Sequence, residues 1–551
     1  MKNWMKSGEP WIWTTAGAVA LSLVMVYAVV WLTAAQGLTH FWPKPVVETV
    51  FKGNDGQAVR LLGEVPDREE VSLLRLREAG YQIDSQDKFT SRYLFKLGNR
   101  DITGADFKWF PGPMLGTFTY PKDVLTIERR EWGNFYGHLK QVKEEGRVVA
   151  EGEQAWPELL KRLERSNALF REILHIEKVE IGKLNYALEK LRLQERKLEL
   201  QKRLTDDARA DIQKQREPLE AKFLALQEKI ESLRHDIGRD SLSAEIMDGQ
   251  IIDVPLAKVA DAIMPNDMSV WEKIGHYARK FWEFATDDPR EANTEGGIFP
   301  AIFGTVMMVL LMSVMVTPLG IMAAVYMREY AKQGPMIRVI RISVNNLAGV
   351  PSIVYGVFGL GFFVYFLGGN IDHLFFPEAL PAPTFGSPGI LWASLTLALL
   401  TLPVVIVATE EGLSRVPRTI REGSLALGAT KAETLWRTVL PMASPAMMTG
   451  LILAVARAAG EVAPLMLVGV VKLAPSLPVD GNFPFVHLER KFMHLGFHIY
   501  DVGFQSPNVE AARPLVYATA LLLVIIIVVL NLFAIRLRNR LREKLRGLEG
   551  V

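Results

Sequence analysis

Cysteine is absent from this chain of 551 residues, which excludes disulfide bonds, thiolate metal sites and cysteine nucleophiles. No stretch matches the G-x-x-x-x-G-K-[ST] pattern of a phosphate-cradling loop, so the sequence contains no recognisable ATP site. The nine histidines are scattered and form no credible metal cluster. These absences argue against an enzyme and against a metalloprotein.

Long apolar runs are abundant. Hydrophobic residues make up 49% of the chain, yet it carries 63 basic and 61 acidic residues, which is typical of a membrane protein with a large polar domain. Six runs are long enough to cross about 30 Å of hydrocarbon. The predicted spans are residues 11–35, 298–327, 343–367, 389–409, 446–470 and 514–535. The predicted fold class is therefore an α-helical polytopic membrane protein.

The first run also resembles a secretion signal, with Thr33-Ala34-Ala35 as its cleavage site. Its length exceeds an ordinary signal core, which favours a retained anchor.

Basic residues indicate the orientation of the spans. They collect after the second run, between the fourth and fifth, and in the C-terminal tail 536–551, whereas residues 368–389 contain neither Lys nor Arg. Because basic loops stay on the cytoplasmic side, these three regions are predicted to be cytoplasmic. The region 1–35 begins with Lys2 and Lys6, which predict that the N-terminus is also cytoplasmic. Six crossings then return the basic C-terminal tail to the same side.

A polar insertion, residues 36–297, separates the first two spans and is predicted to lie on the periplasmic side. Its first part, 36–155, contains three stretches at 124–132, 134–142 and 146–152 that alternate apolar and polar residues. This alternation predicts a small antiparallel sheet.

The middle of the insertion, residues 156–238, has Leu and Ile at three- and four-residue steps, charged flanks and almost no glycine. This pattern predicts a coiled coil, folded into a hairpin because the chain must return to the membrane. The polar stretch 205–211 is the predicted reversal, with Pro218 as a second candidate for the break. Heptads report packing rather than recognition, so both a spacer and a docking arm remain open.

The return segment, residues 239–297, carries an aromatic stretch just before the second span. It contains Trp271, Tyr277, Phe281, Trp282 and Phe284. Such a helix either lies in the membrane interface or packs under the polar domain.

The loop between the fourth and fifth runs has strong local signals. Residues 421–427 predict a short helix, with Glu422 near its start, and Gly428 supplies the positive φ that ends it. Thr430 is the predicted cap of a second short helix, and Glu433 is its capping-box partner. Pro441 is predicted to end this second helix. Two short helices meeting at a glycine predict a compact knob at the membrane surface.

The order of Glu422, Gly428, Leu440 and Pro441 resembles the EAA loop of ATP-binding-cassette import permeases. This chain has Glu-Gly-Ser where the family has Glu-Ala-Ala, and Thr438 where an aliphatic residue is usual. The resemblance implies that the loop, 410–445, couples the spans to an ATPase subunit.

Further stretches resemble, in order, the phosphate-specific PstA-type permeases. They include ANTEGGIFPAIFGT, TPLGIMAAVYMREYA, GVPSIVYGVFGL, LPVVIVATEEGLSRVP and ILAVARAAGEVAPLM. The resemblance covers about 290–535 and nothing in 36–289. It implies a type I importer fold with a five-helix core at 298–535, in the bacterial inner membrane.

Two charged residues lie within the predicted fifth span. Arg457 and Glu461 are four positions apart, hence on one face of a continuous helix. A charge at the bilayer centre costs about 2.5–3.5 kcal/mol, so such residues face a pathway or a partner. A guanidinium is a strong bidentate partner for phosphate oxygens, and Glu461 can pair with it when no anion is present. The alternative is a structural ion pair between spans.

Uncharged polar residues accompany this pair. Asn345, Asn346, Ser352 and Tyr355 of the predicted third span either line the pathway or form interhelical hydrogen bonds. Thr409 and Glu410, at the cytoplasmic end of the fourth, form a gate or anchor the helix.

The resemblance also implies partners. These are a second, PstC-like permease subunit, two cytoplasmic ATPase subunits that use ATP and Mg, and a periplasmic phosphate-binding protein. The chain itself is expected to bind lipid, no cofactor and no nucleic acid. The alternatives are a permease for sulfate or molybdate, or a periplasmic scaffold or sensor built on a permease core.

Overall fold

The computed structural model describes residues 7–54, 56–84, 86–290, 293–506 and 509–549. Lys2 and Lys6, used above for orientation, lie outside the described residues. The chain forms two compact units: an apolar unit, Met1–His40 with Ile298–Val551, and an inserted unit, Phe41–Gly297.

The apolar unit begins with helix α1, Glu9–Leu38, which a short 3₁₀ turn extends to Phe41. Most of its apolar side chains are exposed. Gly37 lies against the backbone of Tyr517 and Ala518, where a Cβ would come within 2.9 Å of main-chain atoms. Only glycine therefore allows this helix to approach the last helix so closely.

The inserted unit contains two main sheets. The first is antiparallel, in the order β1-β2-β3-β4. Its strands are Val46–Lys52, Ala58–Ser72, Phe89–Lys96 and Phe107–Pro111, with the short helices α2, Leu73–Glu78, and α3, Arg100–Thr103, between them.

The second sheet has the order β10-β5-β6-β8-β9, and β7 also pairs with β6. Its strands are β5 Val124–Arg129, β6 Asn134–Glu144, β7 Arg147–Glu151, β8 Asp240–Glu245, β9 Ile251–Pro255 and β10 Val259–Ile263. Strands β5 to β7 coincide with the three alternating stretches of the sequence. The division into a β-rich region and a separate return segment is wrong, because β8 to β10 complete the same sheet and bury Leu242 and Ala244 in its core.

A helical hairpin separates β7 from β8. Helix α4, Ala155–His175, continues through a π-helical turn, Ile176–Ile181, into α5, Gly182–Leu200, and α6, Asp206–Gly238, returns beside them. An apolar cluster joins the two arms, which contains Ile173, Ile176, Leu184, Leu226, Ile230, Leu233 and Ile237. The coiled-coil assignment itself stays a prediction.

The hairpin reverses slightly earlier than predicted. Thr205 caps α6, its hydroxyl accepting from the Ala208 N–H at 3.2 Å, so the polar stretch 205–211 begins the second arm. Pro218 lies inside α6 and does not break it. Its exposed position leaves the carbonyl that loses its hydrogen bond accessible to water.

The aromatic stretch forms helix α7, Val270–Thr286, whose start carries the capping box of Ser269 and Glu272. One face packs on the inserted unit, where Phe284 is buried and the rings of Phe41 and Phe281 meet edge to face at 5.4 Å. A two-stranded ribbon, β11 Pro289–Arg290 and β12 Glu295–Gly296, follows.

The remaining helices belong to the apolar unit. In chain order they are α8 Phe299–Val325, α9 Pro335–Leu347, α10 Ser352–Phe358, α11 Gly369–Phe375, α12 Ile390–Arg415, α13 Arg418–Ala426, α14 Lys431–Thr434, α15 Leu440–Gly460, α16 Leu465–Val468, α17 Leu495–Tyr500 and α18 Val509–Glu549. In the described part of the chain, six helical segments are long and apolar enough to cross a membrane. Helix α12 is the most buried of them, and its Leu397 packs with Met312 of α8 and Ala454 of α15.

Two predicted spans have wrong boundaries. The third, predicted at 343–367, is Ser352–Phe375. The helix breaks at residues 348–351, because a residue that precedes a proline, here Pro351, disfavours the helical conformation. The fifth, predicted at 446–470, is Lys431–Gly460. Asn345 therefore lies on the separate helix α9, and Glu461 lies beyond the end of α15.

Candidate functional site

The loop after α12 folds locally much as its sequence predicts. Helix α13 ends before Gly428, whose φ is +88°. Thr430 caps α14: its hydroxyl accepts from the Glu433 N–H at 3.2 Å, and the Glu433 carboxylate accepts from the Thr430 N–H at 2.9 Å. The predicted glycine turn and capping box are confirmed. Glu422 is exposed in the middle of α13 rather than near its start, because the helix begins earlier, at Arg418.

The second helix of the predicted knob does not stop at Pro441. Helix α14 runs through a π-helical turn, Leu435–Val439, into α15, so one helical segment extends from Lys431 to Gly460. Pro441 lies just after this π-helical turn and does not break the helical segment. Leu440 packs against the buried cluster that contains Leu435 and Val439. The predicted second short helix is therefore the start of the fifth span.

Polar contacts brace α13 against neighbouring spans. Arg421 Nη2 lies 3.0 Å from Glu329 Oε1, in the π-helical turn that ends the second span, and donates to the Leu413 carbonyl of α12 at 2.6 Å. Lys431 lies over the Tyr330 ring at 4.8 Å. Sequence reasoning missed Arg421 and Glu329. The available signal was two opposite charges in segments predicted to lie on the same side of the membrane.

Three exposed apolar side chains follow Glu422 in the sequence. Leu427 is 91% exposed, Trp436 is 72% exposed, and Leu425 is also exposed. Large apolar groups held open on an ordered polar loop are typical of a contact surface.

The two candidate gate residues have different environments. Thr409 is fully buried in α12, and its hydroxyl has no hydrogen-bond partner among the described residues. Glu410 pairs with Arg341 of α9 at 3.0 Å. This contact ties α9 to α12, which favours an anchor over a gate for Glu410.

Arg457 and Glu461 remain close although they do not share a helical face. Helix α15 ends at Gly460, and Glu461 has an extended backbone with φ −79° and ψ 134°. The Arg457 Nε and Glu461 Oε1 atoms are 3.6 Å apart, an ion pair too long for a direct hydrogen bond. The two side chains are 35% and 20% exposed, so neither is sealed among the packed helices. A guanidinium has five N–H donors, more than this one carboxylate can occupy.

The third span lies beside this pair. Tyr355 of α10 is buried and donates its hydroxyl to the Leu347 carbonyl at 2.5 Å across the break between α9 and α10. A Cβ at Gly356 would come within 2.7 Å of Pro464 Cα, so α10 packs tightly on the segment after Glu461.

The remaining polar candidates are less close to the pair. Ser352 begins α10 and is half-buried, one helical turn before Tyr355. Asn345 and Asn346 are exposed on α9, beyond the break. Among the described residues, no group of three or more His, Asp or Glu side chains is arranged to hold a metal ion.

Comparisons with known proteins agree on one family. Residues 316–547 match the model described as "Binding-protein-dependent transport system inner membrane component". The phosphate transport system permease protein PstA of Mycobacterium leprae is 36% identical over 276 residues, which cover 49% of this chain and 81% of that protein. PstA 1 of Mycobacterium tuberculosis (strain CDC 1551 / Oshkosh) is 37% identical over 248 residues, covering 44% and 71%.

A solved structure of the MetNI methionine ABC transporter, in an inward-facing conformation, aligns with a TM-score of 0.32 at 18% identity, over 50% of this chain and 99% of that one. That likeness is too low to carry an argument. The sequence relationship and the six apolar helical segments are sufficient by themselves. This chain is a multi-pass inner-membrane transport component, and it belongs to the family of PstA-type phosphate ABC transporter permeases.

Proposed function

We propose that this chain is a permease subunit of an ATP-driven importer of inorganic phosphate and forms half of the translocation pathway. The observation that carries the proposal is the Arg457–Glu461 pair. A guanidinium at the end of a span, 3.6 Å from its carboxylate, keeps donors free for an oxyanion. Glu461 neutralises the cation between transport events, which limits the cost of holding it in the membrane.

Phosphate is the favoured cargo because the matched relatives are named phosphate permeases. The guanidinium alone does not distinguish phosphate from sulfate or molybdate, since each offers oxygens to the same donors. Tyr355 and Ser352 of α10 are proposed to line the pathway beside Arg457. Asn345 is proposed to lie at its cytoplasmic end, with Thr409 as a gate residue and Glu410 as an anchor between α9 and α12.

The segment from Glu422 through Gly428 to Leu440 and Pro441 is proposed to couple transport to ATP hydrolysis. Leu425, Leu427 and Trp436 offer an apolar surface to an ATPase subunit, with Glu422 on the same helix as Leu425. Arg421 connects this surface to the second and fourth spans through Glu329 and the Leu413 carbonyl. Movement of α13 therefore pulls on several spans at once.

The proposed assembly contains a PstC-like second permease, two cytoplasmic ATPase subunits and a periplasmic phosphate-binding protein. ATP and Mg are used by the ATPase subunits, and this chain has no catalytic role. Its two termini are cytoplasmic, and the inserted unit lies in the periplasm.

Radiolabelled phosphate uptake tests the proposal. Cells lacking the chain are complemented with the wild type, Arg457→Gln or Arg457→Lys, and membrane abundance is measured by immunoblot. We expect Arg457→Gln to abolish uptake at normal abundance and Arg457→Lys to retain part of it, because a lysine keeps the charge without the bidentate fork. Normal uptake by Arg457→Gln would contradict the pathway role. Stimulation of ATPase activity by a sulfate-loaded but not a phosphate-loaded binding protein would indicate another oxyanion.

A further inference from the structure

Helix α7 of the inserted unit turns its charged residues inward. Lys280 Nζ lies 2.7 Å from Glu128 Oε2 and 2.9 Å from Asp261 Oδ2, and only 17% of its side chain is exposed. His276 of the same helix is also buried near Asp261. These ion pairs attach α7 to strands β5 and β10.

The opposite face of α7 is exposed and uncharged. Trp271 is 80% exposed and Trp282 is 69% exposed, with Ile274 and Ala278 exposed between them. Positions 271, 274, 278 and 282 recur at helical spacing and form one stripe. A helix that faced water would present the reverse arrangement, with charges outward and tryptophans inward.

Chain connectivity indicates what covers this stripe. Phe41, the last residue of the first apolar segment, packs on α7, with ring-centroid distances of 6.1 Å to Tyr277 and 5.1 Å to Phe284. At its other end, α7 leads through the β11–β12 ribbon to Gly297, two residues before the second apolar segment begins at Phe299. The end of the first span therefore packs on α7 directly, and 12 residues separate the end of α7 from the start of the second span.

We propose that α7 lies in the interfacial layer of the lipid bilayer, with Trp271, Ile274, Ala278 and Trp282 in contact with lipid. Tryptophan favours this layer because its ring is apolar and its N–H still reaches water or headgroups. Arg279, which is 53% exposed and pairs with Asp261, borders the stripe at the level of the headgroups. The helix thereby anchors the inserted unit at the periplasmic surface of the inner membrane. This role does not depend on which anion the core transports.

The absence of cysteine allows a direct test on the full chain in lipid nanodiscs. Single variants Trp271→Cys, Ala278→Cys and Trp282→Cys are labelled with a nitroxide. Ala221→Cys, on the exposed side of the α6 arm, is the matched control. Collision of the label with oxygen, which concentrates in lipid, is compared with collision with a water-soluble nickel chelate.

We expect the ratio of oxygen to nickel collision to exceed one at all three stripe positions and to stay below one at the control. A ratio like the control at the stripe would overturn the proposal, because the stripe would then face water. Protection from both agents would also overturn it, because a protein surface would then cover the stripe. Ala278→Cys keeps the test informative if removal of a tryptophan disturbs the fold.

Discussion

The two units of this chain satisfy many of their polar groups in different ways. In the apolar unit, many hydroxyls bond to their own helix: Thr305 donates to the Ala301 carbonyl and Thr396 to the Trp392 carbonyl, each at 2.7 Å. In the inserted unit, charged groups join elements far apart in the sequence. Examples are Arg162 with Asp240 at 2.6 Å and Lys143 with Asp253 at 2.8 Å.

The difference reflects the surroundings of each unit. Lipid offers no hydrogen bonds, so a hydroxyl within a span is best satisfied by the nearest backbone carbonyl. Water solvates the unused lone pairs of an ion-pair network, which lets such networks hold strands and helices together at an acceptable cost. The apolar unit also contains ion pairs, such as Arg421 with Glu329 and Arg341 with Glu410, each at 3.0 Å. The pair of Arg457 with Glu461 is longer, at 3.6 Å. The predictions below test whether the two kinds of contact differ in consequence as well as in form.

The largest expected effect comes from removing the cation of Arg457. Arg457→Gln is expected to lower phosphate uptake by more than about tenfold, equivalent to at least about 1.4 kcal/mol of lost stabilisation along the pathway. Glu461→Gln is expected to lower it less, because the guanidinium remains. Equal losses in the two variants, at equal membrane abundance, would instead indicate that the pair acts as a structural unit.

A second prediction concerns the contact that braces α13. Glu329→Arg and Arg421→Glu are each expected to lower uptake several-fold and to separate ATPase activity from transport, because like charges then repel between α13 and the second span. The double exchange is expected to restore part of both activities. Measurement is of uptake and of ATPase activity in the purified complex.

The control for this exchange is the pair Arg415 and Glu411, 3.7 Å apart and mostly exposed. Such pairs contribute about 0–1 kcal/mol, so exchanging these two charges is expected to leave uptake unchanged. Failure of the Glu329–Arg421 double variant to recover would show that the two side chains have roles beyond their mutual charge.

A third prediction concerns the pH dependence of the inserted unit. Burial by itself raises the pKa of Glu128, but the charges of Lys280 and Arg290 outweigh it and lower the pKa to about 2, from its ordinary 4.5. A carboxyl with a lowered pKa stabilises the fold fully above pH 4.5, and this stabilisation is lost as the pH falls from about 4.5 towards 2.

Hydrogen exchange of β5 and α7 in the full chain measures this effect. We expect protection in the wild type to fall across that pH range, and Lys280→Met to lower protection at pH 7 and to weaken its pH dependence. An unchanged pH profile in Lys280→Met would mean that Arg290 alone sets the pKa of Glu128.

The smallest expected effect is on uptake after shortening the hairpin. Deletion of residues 156–237 would remove Leu159 and Leu163, which are buried in the second sheet, so a cut further out is cleaner. Replacing residues 182–222 with a short glycine-serine linker keeps the base of both arms. We expect phosphate uptake to remain normal, whereas a scaffold or sensor function would require the removed arm and would be lost.

Sequence patterns predicted the features that depend on local chemistry. Thr430 and Glu433 form the predicted capping box because both partners lie within one helical turn, and Gly428 has the predicted positive φ. The six apolar segments followed from length and hydropathy alone.

Features that depend on distant partners were not predicted. The contact of Arg421 with Glu329 is set by packing between spans, and Pro441 was misread because a π-helical turn leaves no mark in the sequence. The long strand β2 contains Asp67, Glu69 and Glu70 and lacks a clear apolar face, so its pairing with β3 was invisible. Strand β8 was missed because its partner β6 lies on the other side of the hairpin.

That last arrangement has a consequence for how the protein is made. Glu144 of β6 pairs with Asp240 of β8, so the arms leave and re-enter the second sheet at neighbouring positions. Because β8 follows the hairpin in the chain, the sheet cannot close until the whole hairpin has been synthesised. Pairing of the two arms brings the ends of this long insertion together, so the hairpin lowers the entropic cost of closing the sheet around it.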